Sequence, residues 1–415
     1  MDATEPQPPS RQLTVRCCIV GGGPAGMMLG YLLGRAGIDT VVLEKHADFL
    51  RDFRGDTVHP STMQVMNELG LLEDFLERPH QELSQVGGEF GGKMLRVADF
   101  TRLDTVCRFI AFMPQWEFLD FLAEKGAAFP CLSIRRKTEV IDLIRDGERV
   151  TGVVARSPEG DLRIVADLTI GCDGRHSVTR AKAGLEVEDL GAPIDVLWFR
   201  VGKRDTTVNP ALLHAGNGNF LVTLDRDDYW QCAFVIPKSQ VDALKTRGLP
   251  AFKVIITSIV PSLAATIEDV ASWDDVKLLT VTIDRLTKWS LPGLLCIGDA
   301  AHAMSPVGGV GINLAIQDAV ATANLLAAKL QRGAVTEGDL DRVRQRRLFP
   351  TKLIQAIQVQ VQNRVIAPSL QGGAAKPPLP IRIIDAVPWL QGIAARGIGL
   401  GVRPEHVTSP SSAKV

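Results

Sequence analysis

The sequence has no excess of charge of either sign, no long apolar run, no paired-cysteine motif and almost no tyrosine. Its 46 basic and 47 acidic residues nearly cancel, so no bulk electrostatic footprint points to nucleic acid or to an anionic membrane. That leaves small molecules as the expected partners, acting on a monomer or homodimer. No uninterrupted apolar stretch approaches the ~18 residues of a membrane span. Met1 to Arg11 is polar, proline-bearing and partly acidic, unlike the basic start and apolar run of a signal peptide. It is expected to be a disordered tail on a cytoplasmic protein, with 403–415 as a second tail. The seven cysteines (17, 18, 107, 131, 172, 232, 296) are odd in number and mostly sit in apolar strand-like runs such as VRCCIV and LLCIG. They read as reduced core thiols without disulfide or metal roles. Ile383 to Val402 is apolar enough to suggest peripheral membrane contact, but helices covering a cofactor domain look the same, and packing is the reading adopted.

What is present begins at Leu13. The run LTVRCCIV is strand-like, GGGPAG follows at once, and MMLGYLLGRAG is a helical pattern ending on Gly37 before a second strand, TVVLE. This is a βαβ unit in about thirty residues. Gly21, Gly23 and Gly26 fill its GxGxxG positions, with Ala25 inside the same turn. Gly21 permits the tight turn, Gly23 lets the backbone approach a pyrophosphate, and Gly26 lets helix and strand pack closely. The helix N-terminus offers free N–H groups to phosphate, and Glu44, followed by Lys45, is placed to meet an adenosine ribose. A dinucleotide site follows, with NAD and FAD left unseparated because both carry adenosine diphosphate.

Further on, TVHPSTMQVMNELGLLEDF reads as a helix opened by Ser61 and ended near Gly70, and QWEFLDFLAEKG from Gln115 as an amphipathic helix. EVIDLIRDGERVTGVVARS reads as a hairpin turning at Asp146 to Glu148. From about Glu186 to Thr282 the pieces DVLWFRV, NFLVTL, YWQCAFVI and LLTVTI predict a mainly antiparallel sheet with one helical insert near Val254 to Ile259. LLCIG then returns to a buried parallel strand. The expected organisation is α/β: a Rossmann-like cofactor domain in three pieces (12–78, 106–182 and 283–402), with an inserted, mainly antiparallel substrate domain (79–105 and 183–282) and C-terminal helices.

Three segments taken in order, GGGPAG with Glu44, GCDGRHSVTR at Gly171 to Arg180, and GDAAHAMSPVGGVGINLAIQDA at Gly298 to Ala319, resemble the class A flavoprotein monooxygenases, the para-hydroxybenzoate hydroxylase family. The resemblance covers roughly residues 13 to 330. It implies FAD as cofactor and NADPH or NADH as co-substrate. It puts Asp173, Gly174 and Arg180 beside FAD and the path of the nicotinamide, and Asp299 at the ribityl hydroxyls. It also puts Gly308, Gly309, Gly311, Ile312 and Asn313 at the flavin edge, where the N-terminus of a helix starting about Gly311 to Asn313 favours the reduced ring by up to ~2 kcal/mol. Arg54 is expected near the pyrophosphate and Gln115 at the ribityl chain. Many members have Gln where Val310 stands; backbone contacts survive that change and a side-chain hydrogen bond does not. His302 reads as a buried, hydrogen-bonded structural residue.

The implied chemistry is reduction of FAD by NAD(P)H, addition of dioxygen to give a flavin hydroperoxide, and oxygen transfer to an electron-rich aromatic carbon. The protein's task is a dry pocket and activation of the ring. Epoxidase, Baeyer-Villiger or reductase chemistry on the same fold is the alternative. With only Tyr31 and Tyr229 present, the family's tyrosine relay cannot be carried over. His59 and His214 are therefore the expected acid-base groups, histidine being the side chain that titrates near neutrality, with Pro306 beside the flavin-edge glycines as a third catalytic candidate. Trp198, Phe199, Phe220, Trp230 and Phe234 alternate along strands, so that some should line an aromatic site and others make core. Few basic residues accompany them apart from Arg200, which points to a substrate larger or less acidic than a simple benzoate.

Overall fold

The computed structural model describes residues 11–50, 57–90, 92–203, 213–226, 228–333, 335–370, 377 and 379–412. Its first sheet grows around β1 (Arg11–Val20), which is fully buried from Cys17 onward. Parallel neighbours flank it, β2 (Thr40–Leu43) on one side and β11 (Gly160–Gly171) on the other. β8 (Leu132–Arg135) continues the sheet beyond β2, and β20 (Leu294–Cys296) with β19 (Ser290–Leu291) beyond β11. Strands covered on both faces read as unbroken apolar runs, which is why VRCCIV and LLCIG stand out in the sequence. β9 (Glu139–Asp146) and β10 (Arg149–Ser157) form the expected hairpin, which pairs onto β11.

Helix α1 (Pro24–Arg35) leaves β1 with Pro24 in its first turn, where the missing N–H is no loss. It packs with α4 (Gln115–Gly126) and α8 (Gly311–Gln331) in the largest core of the molecule, together with α2 (Pro60–Glu68) and the short α3 (Leu72–Leu76). Among the described residues α8 is the one helix long and apolar enough to cross a membrane, but most of its apolar window is buried in this core.

The second sheet has the order β17-β13-β16-β15-β14-β5-β6. It joins β5 (Gln85–Phe90) and β6 (Lys93–Asp99) to β13 (Ile194–Gly202), β14 (Leu213–Gly216), β15 (Asn219–Asp225), β16 (Tyr229–Pro237) and β17 (Lys277–Leu279). All pairs are antiparallel except β14 with β5. Alternation along its strands divides the aromatics. Phe199, Trp230 and Phe234 face α7 (Leu249–Ile259) and its Phe252, beside the short α6 (Val241–Thr246). Trp198, Val222 and Leu224 face the opposite way, toward β7 (Ile110–Phe112). β7 forms a small sheet with β3 (Thr57–Val58) and β4 (Gln81–Leu83), and β12 (Val187–Asp189) pairs with β18 (Asp284–Leu286).

After α8 and the short α5 (Val178–Ala183) upstream of it, the chain ends in α9 (Glu337–Val361), a turn of π-helix at Gln362–Ile366, α10 (Ala367–Ser369), α11 (Leu379–Ala386) and α12 (Pro388–Gly399). α12 packs through Ala395 and Ile398 on Phe100 and Phe112, while Trp389 and Ile393 point outward.

Several expectations need correction. Arg11 is the first residue of β1, opposite Leu162, and not part of a tail; Met1 to Ser10 lie outside the described residues. Residues 403–412 are also no free tail: Glu405 is buried and Ser412 donates its N–H to Arg35. α2 begins at Pro60 with His59 as its N-cap, one turn position ahead of Ser61, because proline is accommodated at the first helical position. Of LLTVTI only Leu278 and Leu279 are in a strand.

Candidate active site

The carboxyl ends of β2, β1, β11 and β20 lie side by side, the place where open parallel sheets bind ligands. From β1 the chain turns through Gly21, whose N–H is held by Leu43 O at 2.8 Å. A Cβ on Gly26 would fall well inside contact distance of the Gly21 carbonyl, so the first turn of α1 can lie against the strand only with glycine there. Gly23 caps α1 with no side-chain cap, and a Cβ built on it meets nothing within 4 Å. The first-turn amides of α1 therefore open onto free space, as a phosphate site requires. Ala25 faces Gly298 across this opening, its Cβ 3.1 Å from where a Gly298 Cβ would stand. Glu44, just past β2 and 6% exposed, accepts from Gly22 N at 3.0 Å and His46 N at 2.9 Å. Lys45 is exposed beside it, and Gln115 opens α4. Arg54 lies outside the described residues.

The DG turn is held from within. Asp173 accepts from Ser177 Oγ (2.6 Å), Thr179 Oγ1 (2.7 Å) and Thr179 N (2.9 Å), so its carboxylate builds the turn into α5. Arg180 meets a carboxylate, as its charge demands: that of Asp284, at 3.4 Å, together with the Ala300 and Arg175 carbonyls. This ties the DG turn to the Gly298–Ala301 turn, where Asp299 is half-buried and 3.7 Å from Arg175.

Beneath that turn lies a buried ionic network that the sequence reading missed. Asp318, in the middle of α8 and fully buried, accepts from Gly298 N (3.1 Å), His302 Nε2 (2.6 Å) and Arg347 Nε (2.9 Å). Arg347, on α9, also reaches Glu405 at 3.2 Å, and Glu405 pairs with Arg346 at 2.8 Å. Burial alone would raise the Asp318 pKa, but the charges and hydrogen bonds of His302 and Arg347 bring it below its ordinary value. The signal was a lone acid inside the apolar helix LAIQDAVATANLLAA. His302 is the buried, bonded residue that its position suggested.

The turn Pro306–Gly311 faces β3. Gly309, at φ 63, offers its carbonyl to Thr57 Oγ1 at 2.9 Å, and a Cβ there would collide with the Thr57 side chain. Asn313, in the first turn of α8 with Ile312 and Gly311, accepts from His59 N (2.9 Å) and Thr62 Oγ1 (2.7 Å) and donates to Thr57 O (3.1 Å). Pro306 is half-buried ahead of the glycines, and the Val310 side chain packs with Met304, Leu314 and Ile354. His59 is fully buried. Its Nδ1 bonds the Ile398 carbonyl of α12 at 2.8 Å, and burial lowers its pKa to about 4.

His214 stands apart from this group. Its register partner Leu221 points to the α7 side of the second sheet, and its Nε2 is 2.9 Å from Thr223 Oγ1 on that side. On the face opposite α7, Trp198 and Val222 lie toward β7 and are incompletely buried, whereas Val235 and Leu213 pack toward Ile366 and Leu370.

A family profile described as "FAD binding domain" matches residues 14–356. The chain belongs to that family. At 32% identity it is similar to 6-methylpretetramide 4-monooxygenase of Streptomyces rimosus, over 94% of both chains. It is 30% identical to rifampicin monooxygenase of Streptomyces venezuelae, covering 85% of this chain and 72% of that one. Among solved structures, anhydrotetracycline hydroxylase of Streptomyces rimosus matches with a TM-score of 0.74 at 22% identity, over 97% of this chain and 78% of the other. That likeness is one of fold. The chain is an FAD-dependent aromatic monooxygenase, with NAD(P)H as co-substrate, and the open first turn of α1 and the glycine cradles of Gly26 and Gly309 fit the cofactor.

Proposed function

We propose that this monooxygenase hydroxylates a polycyclic, phenol-bearing aromatic compound held between the flavin edge and the inner face of the second sheet. The observation that carries this reading is the incomplete burial of Trp198 and Val222 on inner strands of the sheet, on the face turned toward β7. Inner strands of a sheet bury such side chains against a partner layer unless a cavity intervenes. Apolar side chains there suit fused rings and help keep water from the reacting centre. Its likeness to 6-methylpretetramide 4-monooxygenase, over nearly the whole of both chains, supports the same substrate class.

In this reading Gly21, Gly23, Ala25 and Gly26 carry the pyrophosphate on the first-turn amides of α1, with Glu44 and Lys45 around the adenosine end; Arg54, which the resemblance assigns to the pyrophosphate, lies outside the described residues. Asp299 and Gln115 meet the ribityl chain, and Gly309, Gly311, Ile312 and Asn313 present backbone amides to the flavin edge beside Pro306. Bound FAD supplies the redox chemistry. Asp173 and Arg180 hold the turns that bring these groups together, and His59, neutral and fixed to α12, orients β3 and not a proton. Residues 79–105 and 183–282 act as the substrate module, which the joining of β5 and β6 to β13–β17 in one sheet supports.

The test is NADPH or NADH oxidation by the holoenzyme under ¹⁸O₂, comparing 6-methylpretetramide with 4-nitrophenol. The expected result is a single labelled oxygen in the tetracycle and a kcat/KM at least ~10-fold higher than for the single ring. Equal or better turnover of 4-nitrophenol sinks the polycyclic reading.

A further inference from the structure

Gln355 and Gln358 of α9 and Gln362, the first residue of the π turn that continues it, are spaced by three and four so that they share one helix face, and their exposures are 0, 3 and 0%. Each bonds the segment that leads to the flavin-facing turn, and Gln355 also joins β18, accepting from Arg285 at 3.3 Å. Gln355 Nε2 donates to Asp284 O (2.7 Å) and Ala303 O (3.1 Å). Gln358 pairs with Ser305 through both halves of its amide: Oε1 accepts from Ser305 N at 3.1 Å, and Nε2 donates to Ser305 O at 3.0 Å and Val307 O at 2.9 Å. Gln362 Nε2 donates to Ser305 Oγ, which also accepts from Val307 N at 3.2 Å.

A buried amide is costly unless bonded, and a helix that needed only to pack would place leucines on this face. The polar choice makes sense because Ala303 to Pro306 has no strand or helix of its own to hold its backbone. α9 acts toward it as a neighbouring strand would. The same helix continues through the π turn that begins at Gln362 and sets Ile366 and Leu370 against Phe90, Leu95 and Phe220 of the second sheet. One element thus touches both walls of the proposed cleft. The Gln362 Oε1 atom is buried without a hydrogen-bond partner among the described residues, a local cost of the kind that accompanies π turns at functional sites.

We propose that Gln358, flanked by Gln355 and Gln362, is the positioning residue that fixes the turn Pro306–Gly311 relative to α9, and so sets where the flavin edge sits against the substrate face. This rests on the reading that Gly309 to Asn313 hold that edge. Gln358 touches no reacting atom; it acts through Ser305 and Val307.

The experiment measures FAD dissociation constant and two-electron reduction potential of the purified holoenzyme for wild type, Gln358→Met and Gly309→Ala. Methionine keeps the length of the side chain and removes both amide functions. The expected outcome for Gln358→Met is FAD bound ~10-fold more weakly, with reduced flavin losing more than oxidised flavin, a tenfold difference between the two forms being ~30 mV. A folded Gln358→Met with wild-type FAD affinity and potential, alongside a weakened Gly309→Ala, overturns the ladder and leaves the flavin site standing. If Gly309→Ala is also unchanged, the site reading itself fails. Should Gln358→Met not fold, Gln358→Glu decides: it keeps the acceptor for Ser305 N–H, and protonation returns one donor. FAD affinity should then recover as pH falls from 8 to 6, and a flat profile counts against the proposal.

Discussion

Replacing Arg347 by Met removes the one cation that reaches both buried carboxylates beneath the cofactor turn. Arg347 is 1% exposed, Asp318 0% and Glu405 5%. Among the described residues Glu405 keeps Arg346 as a partner, whereas Asp318 keeps His302 and the Gly298 N–H. Breaking a buried pair from one side typically costs ~3–5 kcal/mol, because the remaining charge stays desolvated, and methionine fills most of the vacated volume, so the loss is electrostatic more than packing. A deficit of that size at pH 8 is expected in urea titrations of the holoenzyme. Its pH dependence gives the sharper test. In the wild type burial raises the Asp318 pKa, but His302 and Arg347 more than offset it, so the carboxylate stays ionised and contributes stability above its unfolded pKa, lost only as pH falls through the depressed folded value. Without Arg347 only His302 is left to offset burial, and the folded pKa moves up. Asp318 then takes a proton in the native state at mild acidity, and the deficit should shrink between pH 8 and pH 5. A deficit below ~1 kcal/mol at pH 8, or one that does not change with pH, would refute the network as the source of the stability.

Gly26→Ala should yield colourless protein, because the added Cβ meets the Gly21 carbonyl and forces α1 off β1; flavin absorbance after purification checks it. His59, with a folded pKa of about 4 against an ordinary ~6.5, contributes stability that is fully present above pH 6.5 and lost as pH falls from there to 4. The difference in stability between wild type and His59→Gln should therefore vary by ~3 kcal/mol across that window, and parallel curves would disprove it. Replacing His214 by Ala should leave turnover within about twofold, since it lies on the α7 side of the sheet; a large loss in kcat would restore it as an acid-base group. The seven thiols are free, six of them buried and Cys131 half-buried, with burial raising the pKa values of Cys17, Cys18, Cys172 and Cys296 in the core. Native protein should react with a thiol reagent at no more than one site and unfolded protein at all seven, as counted by intact mass.

The features visible in the sequence are those whose physical cause is local. A strand buried on both faces must be apolar throughout, and a helix packed against the strand that feeds it needs glycine at Gly26, so VRCCIV and GGGPAG announce themselves. The hairpin at Asp146 to Arg149 is equally local. What sequence reading missed is held by residues far apart in the chain. Arg347 meets Asp318 and Glu405 from 29 and 58 positions away, and Gln358 meets Ser305 across 53; in the sequence each is an ordinary polar residue on a helix. His59 and His214 show the same limit from the other side. Residue type and expected pKa made both acid-base candidates, but only the register of β14 and the Ile398 carbonyl decide which way their rings turn. Val310 shows a local and a distant cause together. The resemblance marks it as a departure, and its packing with Met304, Leu314 and Ile354 turns that side chain into the core. Side-chain hydrogen bonds reach the turn around it from Thr57, to the Gly309 carbonyl, and from Gln358, to the Val307 carbonyl, while Asn313 ties the start of α8 to the Thr57 carbonyl.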